Sequence, residues 1–436
     1  MALRDRLLCV SMGALATLLS CNLALAATKR PNPPPQVCIG ATCTTTQPPT
    51  TGSLKFHPGF YPFFNYAGGI SAGKMPGDLK LIQSLQANDN VAGIAISVMW
   101  RTIDKGTTGP SYDWSLIDQY LAAVKSVNKR LWIRVQDAVI TSGASVAAGR
   151  TVVPDWLSKK YGPEQVMVNY APPPRGIAAK RYNSVVTNAY IALFQAMAAR
   201  YDSDPNFEGV TMFEETAYQI DTSGTAVTPA TPGQDYSAAG MFSNLYALMD
   251  GLRDPQNGFK TSNVQLSANY LFKNSDSAAN WQDVYTHLQS HKMMLGGADS
   301  WIESWTYPNL PYSGPQTTGP GTTGHTNPDY KRAIYSDEVY RGWWPGTTDW
   351  RGKILFGPDV EITDIGGYVT KNMKPIPTLE DIWKVRGGLD KAQYFFFDIN
   401  FLQSGNYGTA AQQWSTAQYP FIKAQGQSVN QVNPYN

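Results

Sequence analysis

The feature that most constrains this chain is a strict alternation of short β-like runs with amphipathic helical runs, repeated eight times between Leu54 and Ala424. The periodicity predicts strands at 55–64, 92–100, 131–135, 209–213, 264–270, 293–297, 354–361 and 394–401. It predicts intervening helices at 77–87, 113–128, 183–200, 238–252, 281–291, 329–340 and 379–389, with a last one at 410–424. Two of the helical signals are especially clean. Trp114, Ile117, Leu121 and Val124 fall on one face, as do Val186, Tyr190, Leu193 and Met197. Strand-then-helix units in strict alternation fit a parallel sheet, and no Gly-x-Gly-x-x-Gly or phosphate-loop pattern follows the first strand. The expected fold is therefore a single (β/α)8 TIM barrel rather than an open nucleotide-binding sheet.

Length and composition agree with one large domain: 436 residues, 42% hydrophobic and 16% charged, supply a sizeable core. The formal net charge is +2 and the Lys and Arg residues are scattered, so no basic face for a nucleic acid is expected. Residues 1–26 read as an export signal, with Arg4 and Arg6 before an apolar run over 7–20 and Ala24-Leu25-Ala26 at the cleavage point. Leu18-Leu19-Ser20-Cys21 also fits a lipobox, which would leave Cys21 lipidated instead. No other stretch is apolar for the ~20 residues a membrane span needs. Residues 27–53 form a Pro/Thr-rich linker, and residues 54–436 the barrel. Within the linker, Cys38 and Cys43 suit a small disulfide loop in an oxidising compartment.

In such barrels the reacting groups sit at the C-terminal ends of the strands. Strand four runs out in Met212-Phe213-Glu214-Glu215-Thr216, and strand seven in Gly357-Pro358-Asp359-Val360-Glu361. Paired carboxylates at two strand ends suit glycoside hydrolysis: ~5 to 5.5 Å apart they serve as acid/base and nucleophile of a retaining reaction, and ~6.5 to 9.5 Å apart they admit the water of an inverting one. Side chains alternate along a strand, so if Val210 and Met212 face the helices, then Thr211, Phe213 and Glu215 face inward. That favours Glu215 over Glu214 as the acid, while Asp359 and Glu361 share one face and Asp359 stands as the reserve nucleophile.

With these residues the chain resembles, from about Leu54 to Ala424, the clan of retaining barrel glycosidases that includes cellulases, mannanases and barrel-type β-galactosidases. The resemblance implies an acid/base at Glu215 and a nucleophile at Glu361. It also puts Glu214 where the clan has an Asn that binds the sugar 2-hydroxyl, a departure that leaves Glu214 open as the acid. The clan often has an Arg near its nucleophile at the end of strand two; Trp100-Arg101 occupies that place, where a guanidinium would favour an ionised Glu361.

Hydroxyl-binding candidates at the remaining strand ends are Gln136, Asp137, Asn269, Tyr270 and Asp299. Trp301, Trp305 and Trp343 lie in Gly/Pro-rich stretches around strands six and seven, where aromatic faces can stack on sugar rings. Pro154-Asp155-Trp156-Leu157 is similar to a segment after strand three of some barrel galactosidases, or is simply a helix start. The chain has four histidines, and His287 and His291 share a helix, but the Glu of a His-Glu-x-x-His motif is absent. Neither a metal nor another cofactor is expected, and no Gly-x-Ser-x-Gly elbow is present. The rival reading is a non-catalytic polysaccharide-binding barrel without a working acid pair.

Overall fold

The computed structural model describes residues 53–65, 73–140, 152–161, 164–167, 176–212, 238–268, 278–297, 350, 352–360, 392–399, 414–424, 429 and 431–435. The chain divides into two compact units, Met1–Pro35 and Gln36–Asn436, and every described residue belongs to the second. The signal, the linker, Cys38 and Cys43 thus lie outside the described residues, as do the helices expected at 329–340 and 379–389.

Eight parallel strands close into a barrel. In chain order they are β1 (Gly59–Phe64), β2 (Gly93–Met99), β3 (Arg130–Gln136), β7 (Phe207–Met212), β8 (Asn263–Ala268), β9 (Met294–Gly297), β10 (Leu355–Val360) and β11 (Tyr394–Asp398). The barrel closes where β11 pairs with β1, Tyr394 opposite Gly59 and Phe396 opposite Tyr61. Outside it lie α1 (Met75–Gln83), the short α2 (Trp100–Ile103), α3 (Ser115–Ser126), α4 (Asp155–Tyr161), α5 (Ser184–Tyr201), α6 (Ala238–Leu252), α7 (Ala278–Ser290) and α8 (Tyr419–Ala424), the last preceded by a π-helical turn over Trp414–Gln418. The insertion after the third strand folds as a separate antiparallel sheet in the order β4 (Ala138–Ile140), β6 (Gly176–Ala179), β5 (Glu164–Met167).

Local chemistry explains most boundaries. Asn183 caps α5 by accepting a hydrogen bond from the Val185 N–H at 2.9 Å, satisfying one of the first-turn donors that a helix leaves unpaired. Ile117, Tyr120, Leu121 and Val124 of α3 are all buried, as the 3.6-residue period requires. The first strand is shorter than the run 55–64: it begins at Gly59, directly after Pro58, which has no N–H to give to a ladder. Lys55 instead lies against the loops that enter the fourth and fifth strands, where its Nζ donates to the Asp202, Asp204 and Phe207 carbonyls and to Ser262 Oγ, at 2.7 to 2.8 Å.

Strand alternation divides the core in two. Outward residues such as Ile94, Ile96, Ile133, Val135, Val210, Met212, Val264 and Leu266 pack under the helices. Inward residues Tyr61, Phe63, Ala95, Trp132, Met294, Leu355, Tyr394 and Phe396 fill the barrel. Burying each large apolar side chain there gives on the order of 2–3 kcal/mol before conformational entropy is subtracted. The aromatics fit because small residues face them: a methyl group on Gly93 would come within 2.4 Å of the Tyr61 ring, and one on Gly209 within 2.9 Å of Trp132 and 2.6 Å of the Asn263 carbonyl oxygen.

The N-terminal end of the barrel is closed by polar groups. Glu208 is fully buried and accepts from the His57 N–H at 3.1 Å, the Tyr394 hydroxyl at 2.8 Å and Asn263 Nδ2 at 3.3 Å, with His57 Nδ1 2.6 Å from its other oxygen. Burial and the Glu208 charge push the Tyr394 hydroxyl well above its ordinary pKa, so it stays protonated and donates. Asp202 receives the backbone N–H groups of Lys260, Thr261 and Ser262 at 2.7 to 3.2 Å. Burial alone would raise its pKa, but these bonds and the Ser262 side chain outweigh that and hold it below the usual carboxylate range.

Candidate active site

The C-terminal half of the barrel interior is also polar, and an ion pair between described residues crosses it. Arg134 on the third strand reaches Asp359 on the seventh, its Nη2 donating to Oδ2 at 2.6 Å. The barrel order places these strands on opposite sides, so the pair spans the interior. The Arg134 guanidinium also lies 4.4 Å above the Phe63 ring, a cation–π contact that holds its plane. Burial pushes the Asp359 carboxyl above its ordinary pKa, and the Arg134 charge and hydrogen bond pull it back. Among the described residues Asp359 Oδ1 has no hydrogen-bond partner. Around the pair, Thr211 Oγ1 accepts from Trp132 Nε1 at 2.6 Å and donates to Gln265 Oε1 at 2.7 Å, and Gln265 Nε2 donates to the Gly357 carbonyl at 2.7 Å. Ser97 Oγ, Ser267 Oγ and Gln136 Oε1 are buried without a hydrogen-bond partner. A buried polar atom left unpaired costs about 1–3 kcal/mol, so a layer of them directly below the strand ends favours whatever bonds them.

The structure separates the sequence-predicted site residues into three groups. Gln136 and Asp359 face the barrel interior; Gln136 ends the third strand with its Nε2 3.4 Å from Asn65 Oδ1. Trp100, Arg101 and Asp137 point elsewhere. The second strand ends at Met99, and the turn into α2 drives Trp100 into the helix layer, fully buried with its ring 4.8 Å from that of Tyr190 on α5, away from the substrate-binding place expected at the strand end. Arg101 reaches Asp155 at 4.0 Å, both side chains about half exposed, a rim ion pair worth little. The arginine that faces strand seven inside the barrel is Arg134. Asp137 follows the inward Gln136 and so turns outward, where Arg181 Nε binds it at 2.7 Å and Arg181 Nη2 closes a second bond. Glu214, Glu215, Glu361, Asn269, Tyr270, Asp299, Trp301, Trp305 and Trp343 lie outside the described residues.

Parity is the part of the sequence argument that the described strands do test. Val210 and Met212 pack under the helices and Thr211 bonds inside the barrel, as expected for strand four. Asp359 faces inward on strand seven. Sequence reasoning missed Arg134, Ser97 and Ser267. Arg134 had a readable signal: a charged residue in the apolar run Leu131-Trp132-Ile133-Arg134-Val135, two positions from Trp132 and hence on its face. Pro154-Asp155-Trp156-Leu157 is a helix start, with Leu157 buried and Trp156 Nε1 bonded to Asp104 Oδ2 at 2.9 Å.

No protein-family model matches the sequence, and no curated protein matches it. Among solved structures, the chain is similar to the catalytic domain of a β-amylase from Paenibacillus polymyxa, with a TM-score of 0.50 and 11% identity over 86% of this chain and all of that domain. It also aligns with a β-mannanase from the blue mussel Mytilus edulis, with a TM-score of 0.46 and 9% identity over 88% of this chain and 98% of the mannanase. A β-galactosidase from the psychrophilic Marinomonas ef1 aligns with a TM-score of 0.48 and 11% identity over 86% of this chain, which spans 61% of that longer chain. At 11% identity the likeness to the β-amylase domain is one of fold alone.

Proposed function

We propose that this protein is an exported glycoside hydrolase that cuts a poly- or oligosaccharide by a retaining two-carboxylate mechanism. The observation that carries the reading is the unsatisfied polar layer below the C-terminal strand ends, beside Arg134 and Asp359, on a barrel whose fourth and seventh strands are followed in the sequence by Glu215 and Glu361. Inward Thr211 and Asp359 support inward Glu215 and Glu361 if the alternation continues through the next residues. Glu215 then protonates the leaving oxygen while the Glu361 carboxylate attacks the anomeric carbon. Glu215 as base next activates the water that releases the sugar. Glu214 is the alternative acid, and the Arg134 guanidinium, paired with Asp359 two residues before Glu361 in the sequence, is proposed to favour a charged nucleophile.

Gln136, Asn269, Tyr270 and Asp299 are proposed to hold sugar hydroxyls, and Trp301, Trp305 and Trp343 to form stacking subsites. The N-terminal segment is proposed to direct export, with a Cys38–Cys43 disulfide formed outside the cytoplasm. Among the described residues no helix is long and apolar enough to cross a membrane. The test is a screen of the mature protein against β-linked glucans, mannans and galactosides, paired with Glu361→Gln. Turnover that vanishes in the variant while carbohydrate binding persists supports the proposal; normal turnover by Glu361→Gln refutes the assignment. Carbohydrate binding with no turnover by the wild type would favour a non-catalytic binding barrel.

A further inference from the structure

Far from the strand ends, α6 and α7 bring three metal-ligating side chains together. Asp250 stands near the C-terminal end of α6, His287 near that of α7, and His291 directly after it, and one donor atom from each lies within 4.8 Å of the others. Both imidazole Nε2 atoms face the same carboxylate oxygen: His287 Nε2 is 2.7 Å and His291 Nε2 3.2 Å from Asp250 Oδ1. The two rings stack with centroids 4.2 Å apart and planes 26° from parallel, so their nitrogens are already aimed together. Spacing of i and i+4 on one helix turn produces that alignment from the sequence alone.

The contacts of His291 fix which of its ring nitrogens faces the cluster. Its Nδ1 lies 3.0 Å from the His287 carbonyl oxygen, an acceptor only, and 3.0 Å from Ser290 Oγ, whose own proton goes to that same carbonyl at 2.8 Å. An Nδ1 engaged in this way leaves Nε2 as the ring atom directed at the Asp250 carboxylate, alongside Nε2 of His287. A single divalent cation can bond both nitrogens and the carboxylate at once. The ends of two helices add the partial negative charge of their last carbonyls.

We infer that Asp250, His287 and His291 form a binding site for a divalent cation of the zinc class. Two imidazole nitrogens and one carboxylate oxygen suit Zn²⁺ rather than Mg²⁺ or Ca²⁺, which take oxygen ligands. Bonds of ~2.0 to 2.2 Å in a tetrahedron require the donor atoms to open by roughly half an ångström from their present separations, a small side-chain rotation. The three side chains are 43%, 25% and 13% exposed, so a water can complete the shell. The site joins α6 to α7 where both helices turn back toward the N-terminal ends of their following strands, the end of the barrel where stability rather than chemistry resides. Bound metal there staples two helices and takes no part in glycoside cleavage.

The experiment is a titration of the chelator-stripped mature protein with Zn²⁺ by calorimetry and with Co²⁺ by visible absorption, repeated on Asp250→Ala and His287→Ala/His291→Ala. One Zn²⁺ per chain, a Co²⁺ spectrum of low coordination number displaced by Zn²⁺, and at least a tenfold weaker Kd in each variant are expected. At zinc 100-fold above its Kd the unfolding equilibrium constant should fall about 100-fold, raising Tm. Absence of saturable Zn²⁺ binding, or binding unchanged in the double variant, overturns the inference. Should a variant fail to fold, the wild-type Co²⁺ spectrum decides: no d–d bands characteristic of histidine ligation also overturns it.

Discussion

At the N-terminal end of the barrel the polar side chains bond to one another, whereas at the C-terminal end they stop short. Below, Lys55 has four acceptors, Glu208 has donors on both oxygens, and Asp202 gathers three backbone N–H groups, while Arg130 Nε, Arg253 Nε, Asn263 Oδ1 and Asn433 Nδ2 are exceptions. Above, among the described residues, Ser97 Oγ, Gln136 Oε1, Ser267 Oγ and Asp359 Oδ1 are buried with no hydrogen-bond partner. The carboxylates below are saturated with donors, whereas the atoms left open above are all oxygens close to the strand ends. A closed network specifies and stabilises the fold, and an open one is ready to bond something else.

Substitutions sharpen the contrast. The largest effect is expected above the barrel: Glu361→Gln should lower turnover by ~10⁴-fold or more with Tm nearly unchanged, measured on whichever glycan the wild type cleaves. Next, Glu208→Ala should cost about 3–5 kcal/mol in urea unfolding, because the Tyr394, Asn263 and His57 donors lose their acceptor, and should leave kcat intact. Arg134→Met joins the two regimes, since it strands Asp359 in the interior: a loss of about 3 kcal/mol is expected, with most of the stability but none of the activity restored by adding Asp359→Leu. Equal recovery of both would deny the pair any role in the site. Gly209→Ala forces a methyl group against the Asn263 backbone and should cost about 1–3 kcal/mol.

The lower network also has a pH signature. Asp202 is held below the usual carboxylate range in the folded state, so its contribution is complete above ~4, the ordinary value, and is lost as pH falls through the acid range toward the depressed one. Denaturation midpoints followed from pH 6 to pH 2 should therefore fall, and fall less in Asp202→Asn.

Much of the fold was legible because it rests on periodicity, which survives in a single sequence. The eight strands and the helix over Ala238–Leu252 stand where alternation and the 3.6-residue repeat put them. What failed depended on where a strand stops. One residue decided that Trp100 belongs to the turn into α2 and not to the sheet, and one residue turned Asp137 outward to Arg181. Arg101 was chosen for its place at a strand end, yet Arg134, in mid-strand, is the residue that the pleat turns toward Asp359. Sequence distance carries no information on which side chains meet across a barrel. The same limit applies to Asp250, whose approach to His287 and His291 arises only when α6 and α7 pack side by side.

The most direct test of the paired-carboxylate mechanism is the separation of the Glu215 and Glu361 carboxylates in a crystal structure of the mature protein. A distance of ~5 to 5.5 Å over the Arg134–Asp359 pair is expected for a retaining glycosidase. A distance of ~6.5 Å or more would contradict the retaining mechanism, and side chains on different faces of the barrel would contradict the pair itself.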